Sequence, residues 1–196
     1  MRIVCASANP HKVAEIARLL PADVHLLPRP GDVGDVEETA PTLEGNAVIK
    51  AVEIANASGT WAIADDTGLE VDALGGEPGV HSARFAGEPP NDAANRSLLL
   101  ARLGNETHRR ARFCTVVALV HPSGEIHLLR GECAGSIADS ERGSHGFGYD
   151  SVFVPDDGDG RTFAEMDPAE KDAMSHRARA LARLPKLIAR VSGRPA

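Results

Sequence analysis

The chain has little cysteine, few aromatic side chains and no excess of positive charge. Its three cysteines, Cys5, Cys114 and Cys133, are far apart and match no zinc or disulfide spacing. We therefore expect buried free thiols in a reducing cytoplasm. The formal net charge of −7 argues against nucleic-acid or anionic-membrane binding, because both need a basic face. No apolar run is visible that predicts a signal peptide or a membrane span.

The composition that remains is that of a globular α/β protein. The 196 residues are enough to bury a core, and 42% hydrophobic with 25% charged residues is ordinary. The patterns predict strands over 2–6, 24–27, 61–65, 69–71, 111–121, 126–133 and 151–154, and helices over 10–20, 43–58, 91–103 and 168–191. Because strands and helices alternate first and a hairpin follows at 121–124, we predict a mixed sheet. Pro185 is expected to interrupt the terminal helical pattern.

The most informative stretch is Asp65-Asp66-Thr67-Gly68-Leu69, which directly follows the apolar run Trp61–Ala64. Two adjacent acids at the end of a strand are not expected in the core, because burying an unpaired carboxylate is very costly. Gly68 predicts a sharp turn after them. Carboxylates at such a turn are suited to holding Mg²⁺ beside a phosphate. The alternative is a plain turn in which the Asp side chains bond the local backbone.

Two further segments offer groups for a phosphate or a metal. Ser7-Ala8-Asn9-Pro10-His11-Lys12 joins the first strand to a helix, whose N-terminus is a ready anion site. It is no P-loop, and an ordinary strand–helix turn is the alternative. Glu37-Glu38-Thr39 precedes the helix that carries Lys50, and these acids are either partners of the Asp pair or a solvated face.

Two segments in the last third of the chain offer groups for a base. Gly146-Phe147-Gly148-Tyr149-Asp150 places two of the seven aromatic residues between glycines, where a ring can stack on a purine or simply fill the core. Lys171 and Ser175-His176-Arg177 lie at a helix start, and their donors suit keto oxygens or phosphates. A solvated helix is the alternative.

Taken together and in this order, these segments resemble the inosine triphosphate pyrophosphatase family, which hydrolyses deaminated purine nucleoside triphosphates. The resemblance spans nearly the whole chain, and the joint pattern is specific. It also includes Glu15, Asn46, Ala51, Gly75–Gly87 and Glu170. The chain departs from the usual pattern at Ser7-Ala8, where Thr-Gly is common, and at Thr67, where Ser is frequent.

The resemblance implies an elongated mixed sheet flanked by helices, with a smaller lobe and a ligand cleft between them. It implies that residues 1–196 form one nucleoside triphosphate pyrophosphatase domain with two lobes, and that the protein is a homodimer. The implied reaction is Mg²⁺-dependent cleavage between the α and β phosphates of ITP, dITP or XTP. Its products are a nucleoside monophosphate and pyrophosphate, and its role is to cleanse the nucleotide pool.

The resemblance also implies roles by position. Glu37 and Asp66 would hold the metal, and Asp66 would be the catalytic base that activates water. The substrate-binding residues would be Ser7, Ala8, Asn9, Pro10, His11, Lys12, Thr67, Phe147, Gly148, Tyr149, Asp150, Lys171, His176 and Arg177. Glu38, Lys50 and Asp65 would have supporting roles, with a plain structural role for Asp65 still open.

Selectivity is expected from O6 of the base. Arg177 or a backbone N–H would donate to a keto oxygen, whereas adenine presents an amino group, and such mispairing can discriminate by roughly 10⁴-fold. Two alternatives stay open. One is a pyrophosphatase for pyrimidine or modified triphosphates, which would favour dTTP or UTP over ITP. The other is a catalytically inactive nucleotide-binding regulator, which would bind ITP and release no pyrophosphate.

Overall fold

The helices and strands of the first half alternate as predicted. In the computed structural model, which describes residues 1–192, the elements are β1 (Arg2–Cys5), α1 (Pro10–Leu19), β2 (His25–Leu27), α2 (Leu43–Ser58), β3 (Ala62–Val71), β4 (Pro78–Gly79), α3 (Asp92–Leu103), β5 (Arg110–Val120), β6 (Ile126–Ile137), β7 (Phe153–Pro155), α4 (Pro168–Met174), α5 (His176–Leu181) and α6 (Leu184–Val191). Short 3₁₀ helices lie at Asp72–Leu74, Ser82–Arg84 and Phe163–Glu165.

The strands form one mixed sheet, as predicted. Its order is β2-β1-β3-β5-β6-β7, and β4 pairs with β3 beside this path. β1 is parallel to both β2 and β3, and the long connections that parallel pairs need are supplied by α1 and α2. β4 runs antiparallel to β3, and β7 runs antiparallel to β6. The prediction of a mixed rather than a purely parallel sheet is therefore confirmed.

The helix starts follow from capping residues. Asn9, Thr42 and Asn91 each accept hydrogen bonds from backbone N–H groups in the first turns of α1, α2 and α3. The predicted terminal helix is divided into α4, α5 and α6. Pro185 lies in the first turn of α6, where its missing N–H costs nothing, so the predicted interruption is confirmed.

The acid pair lies inside a strand and not at a turn. β3 runs without a break from Ala62 to Val71, so the prediction of a sharp turn at Gly68, with separate strands on either side, is wrong. The reason for a glycine is close approach of a neighbouring strand. A Cβ at Gly68 would lie 2.5 Å from the carbonyl oxygen of Gly79 on β4, closer than side-chain carbons are found.

The chain divides into two compact units, each with its own core. The first unit comprises residues 1–66, 115–131 and the chain from 177, and the second comprises residues 67–114 and 132–176. Buried side chains of the first core include Ile3, Ile16, Ile63, Leu119 and Leu181, and those of the second include Leu69, Leu99, Phe113, Phe153 and Phe163. That residues 1–196 act as a single domain stays a prediction. Within residues 1–192, no helix combines the length and apolarity needed to cross a membrane.

Candidate functional site

Both members of the acid pair are buried, against the expectation that they could not be. Asp65 is 1% exposed and Asp66 is 5% exposed. The expectation failed because it took the carboxylates to be unpaired, whereas each is met by cationic side chains. Adjacent residues on a strand point to opposite faces of the sheet, so the two carboxylates have different surroundings.

Asp65 is paired with two cationic side chains, Arg177 and Lys12. Its Oδ2 accepts hydrogen bonds from Nη2 and Nε of Arg177 at 2.8 and 3.2 Å, and Nζ of Lys12 lies 3.4 Å away. Burial acts to raise the pKa of Asp65, but the charges of Lys12, Arg177 and Lys50 outweigh it and hold that pKa far below its usual range. Asp65 is therefore an ionised carboxylate at any physiological pH.

Arg177 is a partner of carboxylates rather than a donor presented to solvent. The side chain is 1% exposed, and its Nη1 donates to Glu15, which is itself buried on α1. Burial lowers the pKa of Arg177, but Asp65 and Glu15 outweigh burial and raise it above its usual range. The position of Arg177 thus gives no support to the hypothesis that its guanidinium reads O6 of a base.

Asp66 belongs to a cluster in which acids outnumber cations. Nζ of Lys50 lies 3.0 Å from Oδ1 of Asp66 and 2.6 Å from Oε1 of Glu38, so one ammonium bridges two carboxylates. Nδ2 of the buried Asn46 donates weakly to Oδ2 of Asp66 at 3.5 Å. Asp66 is therefore less completely neutralised than Asp65.

The pKa values of Asp66 and Lys50 are both shifted, because of burial and because Lys50 is shared between Asp66 and Glu38. Burial, opposed by Lys50 and Lys12 and aided by Glu38, raises the pKa of Asp66 above its usual range. Burial acts to lower the pKa of Lys50, but the charges of Asp66, Asp65 and Glu38 raise it. The two shifts are consistent because Asp66 and Glu38 share the Lys50 ammonium, which also feels the negative charge of Asp65. A carboxylate with a raised pKa is a better general base than an ordinary one.

The acids near Asp66 fit a metal only in part. Among residues 1–192 no group of three or more His, Cys, Asp or Glu side chains is placed to hold a metal ion. Mg²⁺, however, is commonly held by one or two carboxylates together with substrate phosphates and water. Asp66 and Glu38 offer such oxygens, with Lys50 between them. Glu37 is exposed, and its role as a metal ligand stays a prediction.

The segment from Ser7 to Lys12 is a capped helix start. Oγ of Ser7 accepts from the N–H of Asn9 at 3.2 Å, and Oδ1 of Asn9 accepts from the N–H groups of His11 and Lys12 at 2.9 and 3.3 Å. Ala8 and Pro10 complete the segment and are exposed. A triphosphate cradle here stays a prediction. Lys12 connects the segment to Asp65.

The second unit holds a separate cluster around Asp150. Oδ2 of Asp150 accepts from Nζ of Lys171 at 2.6 Å and from the N–H of Phe147 at 3.0 Å. The ammonium of Lys171 also lies 5.1 Å from the centre of the half-buried Phe147 ring, within cation–π range. Gly146 has φ +74°, and a Cβ there would collide with the Asp150 carboxylate, so the tight loop requires glycine.

Two residues assigned to substrate are core residues in the structure. Tyr149 is 5% exposed and donates from its hydroxyl to the carbonyl of Ser82 at 2.8 Å, so its ring is no stacking platform. His176 is 3% exposed and stacks on Phe113, with ring centres 4.5 Å apart. Of the two aromatic residues in the loop, only Phe147 is accessible. Thr67 follows Asp66 on β3 and is half-buried.

Glu15 and Asn46 match the family pattern, but the sequence implies no role for either. The structure places Glu15 on Arg177 and Asn46 on Asp66. Asn46 also accepts the N–H of Ala40 at 2.9 Å and so holds the loop that carries Glu38. Asn46 borders the apolar side of α2, which is a weak sequence signal, whereas Glu15 lies among polar residues of α1 and has no local signal of burial.

These features define a class: mixed α/β proteins with a buried acid–lysine cluster on the central strand. The sequence pattern of the Ham1 family matches residues 3–187, and the chain belongs to this family.

Solved structures and curated relatives agree with this assignment. The Ham1 protein of Coxiella burnetii has a TM-score of 0.87 at 39% identity, covering 96% of this chain and 98% of the other. That of Staphylococcus aureus has a TM-score of 0.85 at 40% identity, with the same coverage. The dITP/XTP pyrophosphatase of Deinococcus deserti is 49% identical over 93% of this chain and 87% of its own length.

Proposed function

We propose that this protein is a nucleoside triphosphate pyrophosphatase that hydrolyses ITP, dITP and XTP to the nucleoside monophosphate and pyrophosphate, cleansing the nucleotide pool. The observation that carries the proposal is the Asp66 cluster, a buried carboxylate of raised pKa beside Lys50, in a chain 49% identical to a dITP/XTP pyrophosphatase. The alternatives of a pyrimidine-directed enzyme or an inactive regulator are not favoured, since the curated relatives carry one shared name.

The catalytic and phosphate-binding roles are assigned to the Asp66 cluster and to Lys12. Asp66 accepts a proton from the attacking water, and it is placed for that role as a buried carboxylate beside Lys50. Lys12 contributes positive charge for a triphosphate, and Asp65 keeps its ammonium in place. We propose that Asp66 holds Mg²⁺ with Glu37 or Glu38. When bound, Mg²⁺ neutralises phosphate charge and lowers the barrier to attack.

We assign binding of the purine base to the cluster around Asp150. Phe147 is the accessible aromatic of the loop, and Lys171 and Asp150 fix the loop around it. Because Arg177 is engaged by carboxylates, we assign O6 recognition to a backbone N–H. Such a donor pairs with a keto oxygen and is mispaired with the amino group of adenine.

Two further proposals concern the assembly and its location. We propose a homodimer in the cytoplasm. The cytoplasmic location is supported by Cys5, Cys114 and Cys133, which are buried free thiols of the kind that reducing compartments maintain.

Pyrophosphate release in the presence of Mg²⁺ from ITP, XTP, ATP, GTP and dTTP tests the function most directly. We expect ITP and XTP to be hydrolysed with kcat/KM at least about 10²-fold above that for ATP. Comparable rates on ATP would remove the claim of selectivity. Faster hydrolysis of dTTP would support the pyrimidine-directed alternative, and tight ITP binding without pyrophosphate release would support the regulator.

A further inference from the structure

The loop Gly146–Asp150 is anchored to α3 through both backbone polar groups of Gly148. The N–H of Gly148 donates to Oδ2 of Asp92 at 2.8 Å, and its carbonyl accepts from Nη1 of Arg96 at 2.8 Å. Asp92 and Arg96 are one helical turn apart on α3, so they share one helix face. Gly148 is thus held on both sides by a single helix.

Arg96 is itself fixed by the chain on either side of the loop. Its Nε donates to Oε2 of Glu141 at 2.7 Å, and Oγ of Ser151 donates to the same oxygen at 3.0 Å. The Arg96 side chain is only 19% exposed. The guanidinium therefore has a defined orientation, which a solvated surface arginine would lack.

External anchoring matters because the loop has little stiffness of its own. Phe147 lies between Gly146 and Gly148, whose φ angles of +74° and +59° are open to glycine but strained for other residues. Glycine has the largest conformational freedom to lose on ordering. Asp150 fixes the N–H of Phe147 from inside the loop, and α3 fixes the residue that follows it.

We infer that Asp92 and Arg96 are positioning residues for base recognition, which act through Gly148 to hold the Phe147 ring in place. The inference rests on the proposed function, in which this loop packs around a purine. Neither residue was singled out in the sequence, because an acid and an arginine in the first turns of a helix are commonplace. Their effect falls on the base and leaves the phosphates untouched.

The test removes each anchor and measures both ends of the substrate. In Asp92→Ala and in Arg96→Met we expect KM for ITP to rise about three- to tenfold, as loss of one hydrogen bond to Gly148 predicts, while kcat changes less than about twofold. The inhibition constant of inorganic tripolyphosphate, which has no base, should stay at the wild-type value. Asp92→Asn keeps an acceptor for the Gly148 N–H and should restore KM.

Arg102→Met is the matched control. Arg102 is on the same helix, but it pairs with Glu77 and stacks on Phe85, away from the loop. Its loss should leave KM for ITP unchanged. Calorimetric binding of IMP to the same variants gives the comparison without turnover.

Three results would overturn the inference: wild-type KM in both anchor variants, an equal rise of the tripolyphosphate constant, or no rescue by Asp92→Asn. Failure of the proposed function looks different, because the wild-type protein itself would then release no pyrophosphate from ITP. In that case IMP binding still decides whether α3 positions the loop.

Discussion

Asp65 and Asp66 are neighbours on one strand, yet they are opposites in their electrostatic surroundings. Asp65 is met by Arg177 and Lys12, and its pKa is held far below the usual range. Asp66 shares Lys50 with Glu38, and its pKa is raised. The strand thus offers one carboxylate whose charge is fixed and one whose charge is costly.

This difference separates a structural acid from a reactive one. A carboxylate whose proton affinity is suppressed makes a poor base, whereas one that is buried and incompletely neutralised gains from accepting a proton. From the sequence, the resemblance is the reason to prefer Asp66 over Asp65 as the catalytic base. The surroundings now supply an independent physical reason, and mutation of each acid should separate activity from stability.

The largest expected effect is on turnover by Asp66→Asn. We expect kcat for ITP to fall by at least about 10³-fold, since an amide accepts no proton from water. Stability should be unchanged or slightly higher, because the raised pKa of Asp66 means that its charge destabilises the folded state. Steady-state kinetics and thermal unfolding measure the two effects.

Asp139→Asn serves as the control for the turnover measurement. The Asp139 side chain is 94% exposed, so its replacement should leave kcat unchanged. Near-wild-type activity of Asp66→Asn would exclude Asp66 as the base.

The next effect is on stability, by Asp65→Asn. The change leaves the buried Arg177 guanidinium facing an amide where it now has a carboxylate. Breaking a buried ion pair on one side costs about 3–5 kcal/mol of unfolding free energy. Urea unfolding at pH 7 measures it, and the surface pair of Asp156 with Arg110 provides a comparison in which Asp156→Asn should have little effect. Equal losses of unfolding free energy in Asp65→Asn and Asp156→Asn would show that the buried pair contributes no more than the surface pair.

Much of the fold was predictable because its signals are local. The helices α1, α2 and α3 each start at a capping residue, whose side chain accepts a hydrogen bond from an N–H no more than three residues further along the chain. The burial of the acid pair was not predictable in this way, since Arg177 is 112 residues from Asp65 in the chain. Gly68 was misread for the same reason: the backbone that requires it belongs to Gly79 on another strand.

The candidate site was predictable in part. Resemblance identified Asp66, Lys50 and Lys171, but it could not tell that Tyr149 turns into the core. A pattern of aromatic residues between glycines does not say which ring faces inward. That depends on packing against Ser82, 67 residues away along the chain.

The pH dependence of stability should have opposite sign at the two acids. The pKa of Asp65 is lowered on folding, so its contribution is present above the ordinary value of 3.8 and is lost as pH falls below it. The stability difference between wild type and Asp65→Asn should therefore shrink below about pH 4, by up to about 1.4 kcal/mol per pH unit.

At Asp66 the raised pKa reverses the sign: the cost of its charge is full at high pH and disappears as pH falls towards 4. Wild type should therefore gain stability relative to Asp66→Asn on acidification. Urea unfolding of the three proteins from pH 3 to pH 8 measures both trends. Parallel curves for the two variants would show that the acids do not differ as described.

The smallest expected effect is that of Lys50→Met. Methionine keeps most of the unbranched side chain but removes the ammonium that bridges Asp66 and Glu38. The loss of unfolding free energy at pH 7 should be about 1 kcal/mol, because Asp66 can take up a proton in place of the missing charge. Asp65 has no such route, so Lys50→Met should be clearly milder than Asp65→Asn. A loss as large as that of Asp65→Asn would mean that Asp66 stays ionised without Lys50. The two carboxylates would then not differ in how readily they take up a proton.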